Sequence, residues 1–193
     1  MKRTQLSLFV SGAEAARLER IRRVVDPVQA ALIPAHVTLC REDELHGVEV
    51  ELLARRVAAA APIRLVFGQV ERFSGHGILL RCLEGQPAFS ALRRQILGIS
   101  ETRDSLAHLT LAHPRNPRAA GNSLEAVDLA LPLSLVFDRA VLIEQLAAGE
   151  KWTVLSEFPF ANAPRPGHSS EPARPALTAA PPCPTSHYRG FLN

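Results

Sequence analysis

At 193 residues, with 47% hydrophobic side chains and a mean hydropathy of +0.04, the chain is long enough to bury one core of ordinary size or two small lobes that share one. Its formal charge of +3 is unevenly spread, since residues 1–160 hold 19 basic and 18 acidic side chains and residues 161–193 hold three basic and one acidic. A body this close to neutral lacks the broad positive field that long duplex nucleic acid requires, which leaves short or terminal phosphate ligands as the compatible class.

The chain opens with Lys2 and Arg3, and its first apolar run, Leu8 to Val10, is too short for a signal-peptide core or a membrane span. Cys40, Cys82 and Cys183 are odd in number and show no CxxC spacing, which suits reduced thiols and a cytoplasmic protein. Gln5 to Val10 alternates polar and apolar residues and predicts a strand that stops at Ser11-Gly12. Ala13 to Val25 follows, rich in Ala, Leu, Glu and Arg, with Ala15, Leu18, Ile21 or Arg22, and Val25 at helical spacing; Asp26-Pro27 ends that helix. After a connector, "HVTLC" at His36 to Cys40 reads as a short strand. Glu49 to Ala61 is a second helix, terminated at Pro62.

"IRLVFGQVERF" and "GILLRCL" flank "SGHG" and predict a hairpin with a glycine-containing loop. "PAFSALRRQIL" has proline at a helix start and an apolar face of Phe89, Leu92, Ile96 and Leu97. A second short strand, "HLTLA" at His108 to Ala112, comes next. Leu133 to Glu144 and Lys151 to Phe160 read as two final strands separated by the turn "QLAAGE". Helices and strands mix without strict alternation, which predicts an α+β fold. The domain is expected over residues 1–160, and residues 161–193, with seven prolines, read as a disordered tail.

The near-identity of "HVTL" and "HLTL" is the strongest signal. Each follows an amphipathic helix and a connector, so the two halves of the chain repeat one design. On a strand, side chains two apart share a face, so His36 points with Thr38 and His108 with Thr110. Val37, Leu39, Leu109 and Leu111 turn to the opposite, apolar side. Taken singly, each histidine reads better as structural; the duplication favours a functional pair at the junction of two lobes. Imidazole exchanges protons near neutral pH, and two can divide the roles of general base and general acid. Threonine hydroxyls donate to negatively charged oxygens without a charge of their own. These parts suit in-line displacement at phosphorus.

The arrangement resembles the two-histidine (2H) phosphoesterases, the superfamily of bacterial 2′-5′ RNA ligase-like proteins and RNA 2′,3′-cyclic phosphodiesterases. The resemblance covers about residues 4–160. It implies a bilobal, pseudo-symmetric α+β fold in which antiparallel sheets line a central cleft with helices outside, and a metal-independent reaction without a cofactor. It further implies substrates with 2′,3′-cyclic or 2′-5′ phosphodiester linkages, with His36 and His108 as the acid/base pair and Thr38 and Thr110 as phosphate holders. Where such proteins commonly have proline before each histidine, this chain has Ala35 and Ala107. The expected ligand is an RNA terminus or small nucleotide, with a monomeric protein, no long duplex and no membrane. A noncatalytic RNA or nucleotide binder using the same cleft is the alternative.

Other residues carry weaker signals. Arg115 either neutralises a phosphate in the cleft or is a solvated loop arginine. Arg41, amid "REDEL", reads as an ion-pair partner of its neighbours. His113 reads as a support to the site or as exposed, His76 as an exposed turn residue, and His46, His168 and His187 have no supporting context. Metal ligation through His36 with Cys40, or His108 with His113, matches no common zinc spacing. Core packing is the default for Phe9, Phe67, Phe73 and Trp152, with base stacking as the other use of the three phenylalanines. The arginines of the first helix read as a solvated face.

Overall fold

The computed structural model describes residues 2–114 and 129–161. In chain order these form β1 (Arg3–Phe9), α1 (Gly12–Val25), α2 (Pro27–Leu32), β2 (His36–Cys40), α3 (Val50–Ala58), β3 (Ile63–Phe73), β4 (Gly77–Glu84), α4 (Gln86–Leu97), β5 (His108–Ala112), β6 (Leu133–Phe137), β7 (Arg139–Gln145) and β8 (Thr153–Pro159). The alternation read in β1 sends Leu6 and Leu8 into the main core, while Gln5, Ser7 and Phe9 take the other face. Helix α4 begins with Pro87 in its first turn and stops at Gly98, whose left-handed φ of 71° lets its N–H donate to the Arg94 carbonyl at 2.8 Å.

Two antiparallel four-stranded sheets result, ordered β2-β1-β7-β8 and β5-β4-β3-β6. The unit β1-α1-β2 is matched by β4-α4-β5, so both histidine strands become sheet edges by the same connectivity. Helix α1 packs on β5 and α4 packs on β2, each lobe's helix supporting the other lobe's histidine strand. Edges β2 and β5 also pack on each other. One core runs through both lobes, with Leu18 and Val25 of α1, Phe89 and Ile96 of α4, and Val37, Leu39, Leu109 and Leu111 of the edge strands all buried. Among the described residues no helix is long and apolar enough to cross a membrane.

Two expectations need correction, and one short helix was not expected. The segment from Leu133 to Glu144 is not one strand: β6 pairs with β3 and β7 with β1, and the chain changes sheets at Asp138, whose carbonyl accepts the Phe160 N–H at 2.8 Å. Asp26-Pro27 ends α1 but also starts α2, because proline needs no N–H partner in a first helical turn and the Asp26 carboxylate accepts the Gln29 N–H at 3.0 Å. Trp152 sits just before β8, half-buried against a small cluster of Ile33, Val141 and Ile143, with the Arg3 guanidinium 5.3 Å from its ring. Of the tail expected over residues 161–193 only Ala161 is described, and the rest, with Cys183, His168 and His187, lies outside the described residues.

Asp26 also fastens the lobes together. Fully buried, it accepts the backbone N–H of His113 at 2.8 Å, just past β5, with its second oxygen. Asp26→Ala removes a helix cap and leaves a partly buried N–H unpaired, so urea unfolding is expected to show a loss of about 2–4 kcal/mol.

Candidate active site

Strand register decides what surrounds each motif. His36 lies opposite Phe9 and Thr38 opposite Ser7, while His108 lies opposite Arg81 and Thr110 opposite Leu79. Residues opposed in an antiparallel pair share a face. The two motifs have the same burial pattern, with histidine and threonine half-buried and the apolar residues between them sealed in the core. The predicted division into a polar front and an apolar back is therefore present in both. His36 and His108 come from the two edge strands that meet, near enough for a charge on His108 to disfavour one on His36.

The ring nitrogens are assigned by their partners. His36 Nδ1 lies 2.8 Å from the Pro34 carbonyl oxygen and His108 Nδ1 lies 2.8 Å from that of Leu106. A carbonyl can only accept, so each Nδ1 carries the hydrogen and each neutral ring keeps a bare Nε2. Two histidines in related halves thus present the same tautomer, with the nitrogen remote from the backbone free for proton exchange. Phe9 meets the His36 ring edge-on at 6.1 Å and 70°, and Phe73 meets His108 at 6.5 Å and 58°. Of the three phenylalanines only Phe67 is fully buried in the core; Phe9 and Phe73 buttress the imidazoles.

Burial lowers the His36 pKa from 6.5 to about 4, and the positive charges of Arg22 and of protonated His108 push the same way, against the hydrogen bond to Pro34. Arg22 is the clearest departure from the sequence reading. It does not lie on a solvated face: its side chain is 1% exposed, it pairs with Glu19 at 2.8 Å, and its Nε has no hydrogen-bond partner among the described residues. Three-residue spacing from Leu18 to Ile21 left the position beside Ile21 ambiguous, and the packing of α1 on β5 turns it inward.

Other candidates fall differently. Arg81 was not singled out in the sequence, yet it shares the face of His108 and forks onto Glu71 at 2.7 and 2.8 Å, holding that carboxyl below its usual range. The ion pair expected for Arg41 belongs to its neighbours: Asp43 pairs with Arg103 at 2.7 Å and Glu44 with Arg93, while Arg41 is exposed. His113 follows β5 half-buried, held by its N–H to Asp26, and His46 and His76 are exposed. Among the described residues no three His, Cys, Asp or Glu side chains gather as metal ligands would. Arg115 lies outside the described residues. A cavity of about 710 Å³ opens behind the start of β5, where Gln86, Arg94, Ser105 and Leu106 line it.

Residues 10–149 match the sequence family described as the 2′-5′ RNA ligase superfamily. No curated protein matches the chain. Solved structures with a similar fold include E. coli LigT complexed with NADP+, at 15% identity and a TM-score of 0.55 over 83% of this chain and 98% of that one. E. coli LigT in apo form gives 16% and 0.55 over the same shares. A structure described as a phosphoesterase gives 16% and 0.50 over 83% of this chain and 99% of that one.

Proposed function

Because the chain belongs to the 2′-5′ RNA ligase superfamily, we propose that it is a metal-independent phosphodiesterase of 2′,3′-cyclic phosphate or 2′-5′ linkages, at RNA ends or in small nucleotides. One observation carries this reading: two His-x-Thr strands from related halves meet as sheet edges, each histidine with Nδ1 held by a backbone carbonyl and Nε2 left for proton exchange. His36, held neutral at physiological pH, takes the proton of the attacking water at its Nε2 as the oxygen bonds to phosphorus. His108, protonated on both nitrogens, gives its Nε2 proton to the departing ribose oxygen as the P–O bond breaks, leaving a phosphate monoester. Thr38 and Thr110 donate hydroxyl hydrogen bonds to the nonbridging oxygens, where charge builds up. Exchange with solvent then resets the two rings. The same proton traffic run backwards, with a ribose hydroxyl as nucleophile, forms a 2′-5′ linkage.

The deciding experiment offers the protein a 2′,3′-cyclic nucleotide and a 2′-5′ dinucleotide, with and without EDTA, and separates the products. EDTA-resistant turnover supports the reading; loss of turnover in EDTA, or tight binding with no turnover of either, overturns it and in the second case leaves a nucleotide binder.

Protonation of His36 removes the base, so kcat/KM must fall on the acid side. With its pKa lowered to about 4, that limb is expected near pH 4 and not near 6.5. Arg22 contributes to the lowering, so Arg22→Met is expected to move the limb upward. Rates measured from acid to neutral pH, with folding checked by circular dichroism at each point, test both.

A further inference from the structure

The peptide group before each histidine is gripped at both ends. The Pro34–Ala35 peptide accepts His36 Nδ1–H through its oxygen at 2.8 Å and donates its own N–H to the Glu19 carboxylate. In the other lobe, the Leu106–Ala107 peptide accepts His108 Nδ1–H at 2.8 Å and donates its N–H to Gln86 Oε1 at 2.8 Å. The next carbonyl is fixed likewise on both sides, Ala35 by the Val10 N–H at 3.0 Å and Ala107 by the Cys82 N–H at 3.1 Å. Glu19 sits in the middle of α1 and Gln86 at the start of α4, so matched helices supply the two acceptors from different positions along their length. The alanines at 35 and 107 are what make this possible, since proline has no N–H to give.

We propose that Glu19 and Gln86 are positioning residues that act on the two imidazoles through the intervening peptide, each holding its histidine in the Nδ1–H tautomer, the Glu19 carboxylate more firmly than the Gln86 amide. Hydrogen bonds in series polarise one another, so an acceptor on the amide N–H makes the carbonyl at its other end a better acceptor for Nδ1–H. That holds the Nδ1–H tautomer and raises the basicity of Nε2, as a carboxylate bonded directly to an imidazole does. A carboxylate polarises more strongly than an amide oxygen. The lobe with Glu19 therefore holds its tautomer more firmly than the lobe with Gln86. Near His36 the other charged or titratable groups are His108 and Arg22 of α1, which pairs at 2.8 Å with the same Glu19 oxygen that accepts the Ala35 N–H. Beside His108 they are His36 and the Arg81–Glu71 pair.

This assignment rests on the two-histidine reading, and its test separates the two. Nitrogen-15 spectra of the full chain distinguish protonated from bare ring nitrogens without any substrate. The wild type is expected to show Nδ1–H in both rings. Glu19→Gln keeps an acceptor and should keep that tautomer at His36, whereas Glu19→Leu and Ala35→Pro, which remove acceptor or donor, should populate Nε2–H at His36 and leave His108 unchanged. In turnover, Glu19→Gln should lower kcat about 3- to 10-fold with KM unchanged. An unaltered His36 tautomer in both folded disrupting variants would overturn the relay whatever the activity. An altered tautomer in a protein that turns over none of the substrates would uphold the relay and sink the catalytic reading alone.

Discussion

His36→Ala and His108→Ala are each expected to reduce kcat for a 2′,3′-cyclic nucleotide by about 10²- to 10⁴-fold, the range over which positioned acids and bases act. KM should change far less. Thr38, Thr110 and the strands beneath them are untouched, and both rings are only half-buried, so removing one leaves no large void. Because attack and departure are two halves of one proton transfer, the double variant should be little slower than the worse single one, since residues that act as a unit are not additive. Steady-state rates of the three variants at neutral pH decide it. A double variant slower by the product of the two single effects would mean that the histidines act independently, and a single variant with near-normal turnover would remove that ring from the chemistry.

How much of this was legible in the sequence follows from the range of each interaction. The His-x-Thr-x strands, with polar fronts and apolar backs, depend on a two-residue period and were readable; so were α1, α3, α4 and the β3–β4 hairpin, set by local periodicity, proline and glycine. The break at Asp138 was not, because a single aspartate with no glycine or proline beside it is a weak turn signal and the apolar pattern continues through a change of sheet. Arg22 and Arg93 look like surface residues by type, and only the exchange of helices between lobes buries them. Glu19 and Gln86 act through peptide groups 16 and 21 residues away, so no spacing rule could flag them, and Arg81 meets Glu71 only through the register of the β3–β4 hairpin. Phe9 and Phe73 read as core because periodicity shows which face a residue takes but not that the face holds a histidine.

Arg93 offers the strongest test of how the fold holds the site. It lies on α4, is 2% exposed, and reaches across to the other lobe, where it donates to the Leu39 carbonyl of β2 and forks onto the Glu44 carboxylate just beyond that strand. Glu44 is itself only 11% exposed and also accepts the Arg41 backbone N–H at 3.0 Å. Breaking such a pair from one side strands a carboxylate and a strand carbonyl with little water, so Arg93→Met is expected to cost about 3–5 kcal/mol in urea unfolding. Against a total stability of about 5–15 kcal/mol for a domain, that is a large fraction. Replacing both partners, Arg93→Met with Glu44→Leu, removes the stranded charge and should recover most of the loss, since a buried ion pair and an apolar pair of similar size are often equivalent. Turnover should follow a different pattern. The double variant still lacks the tie to Leu39, one residue past Thr38, so it should remain slower than wild type even where its stability returns. A loss below about 1 kcal/mol in the single variant would show the pair to be solvated and weak, and wild-type turnover in the double variant would show that β2 keeps its place without a hold from the opposite lobe.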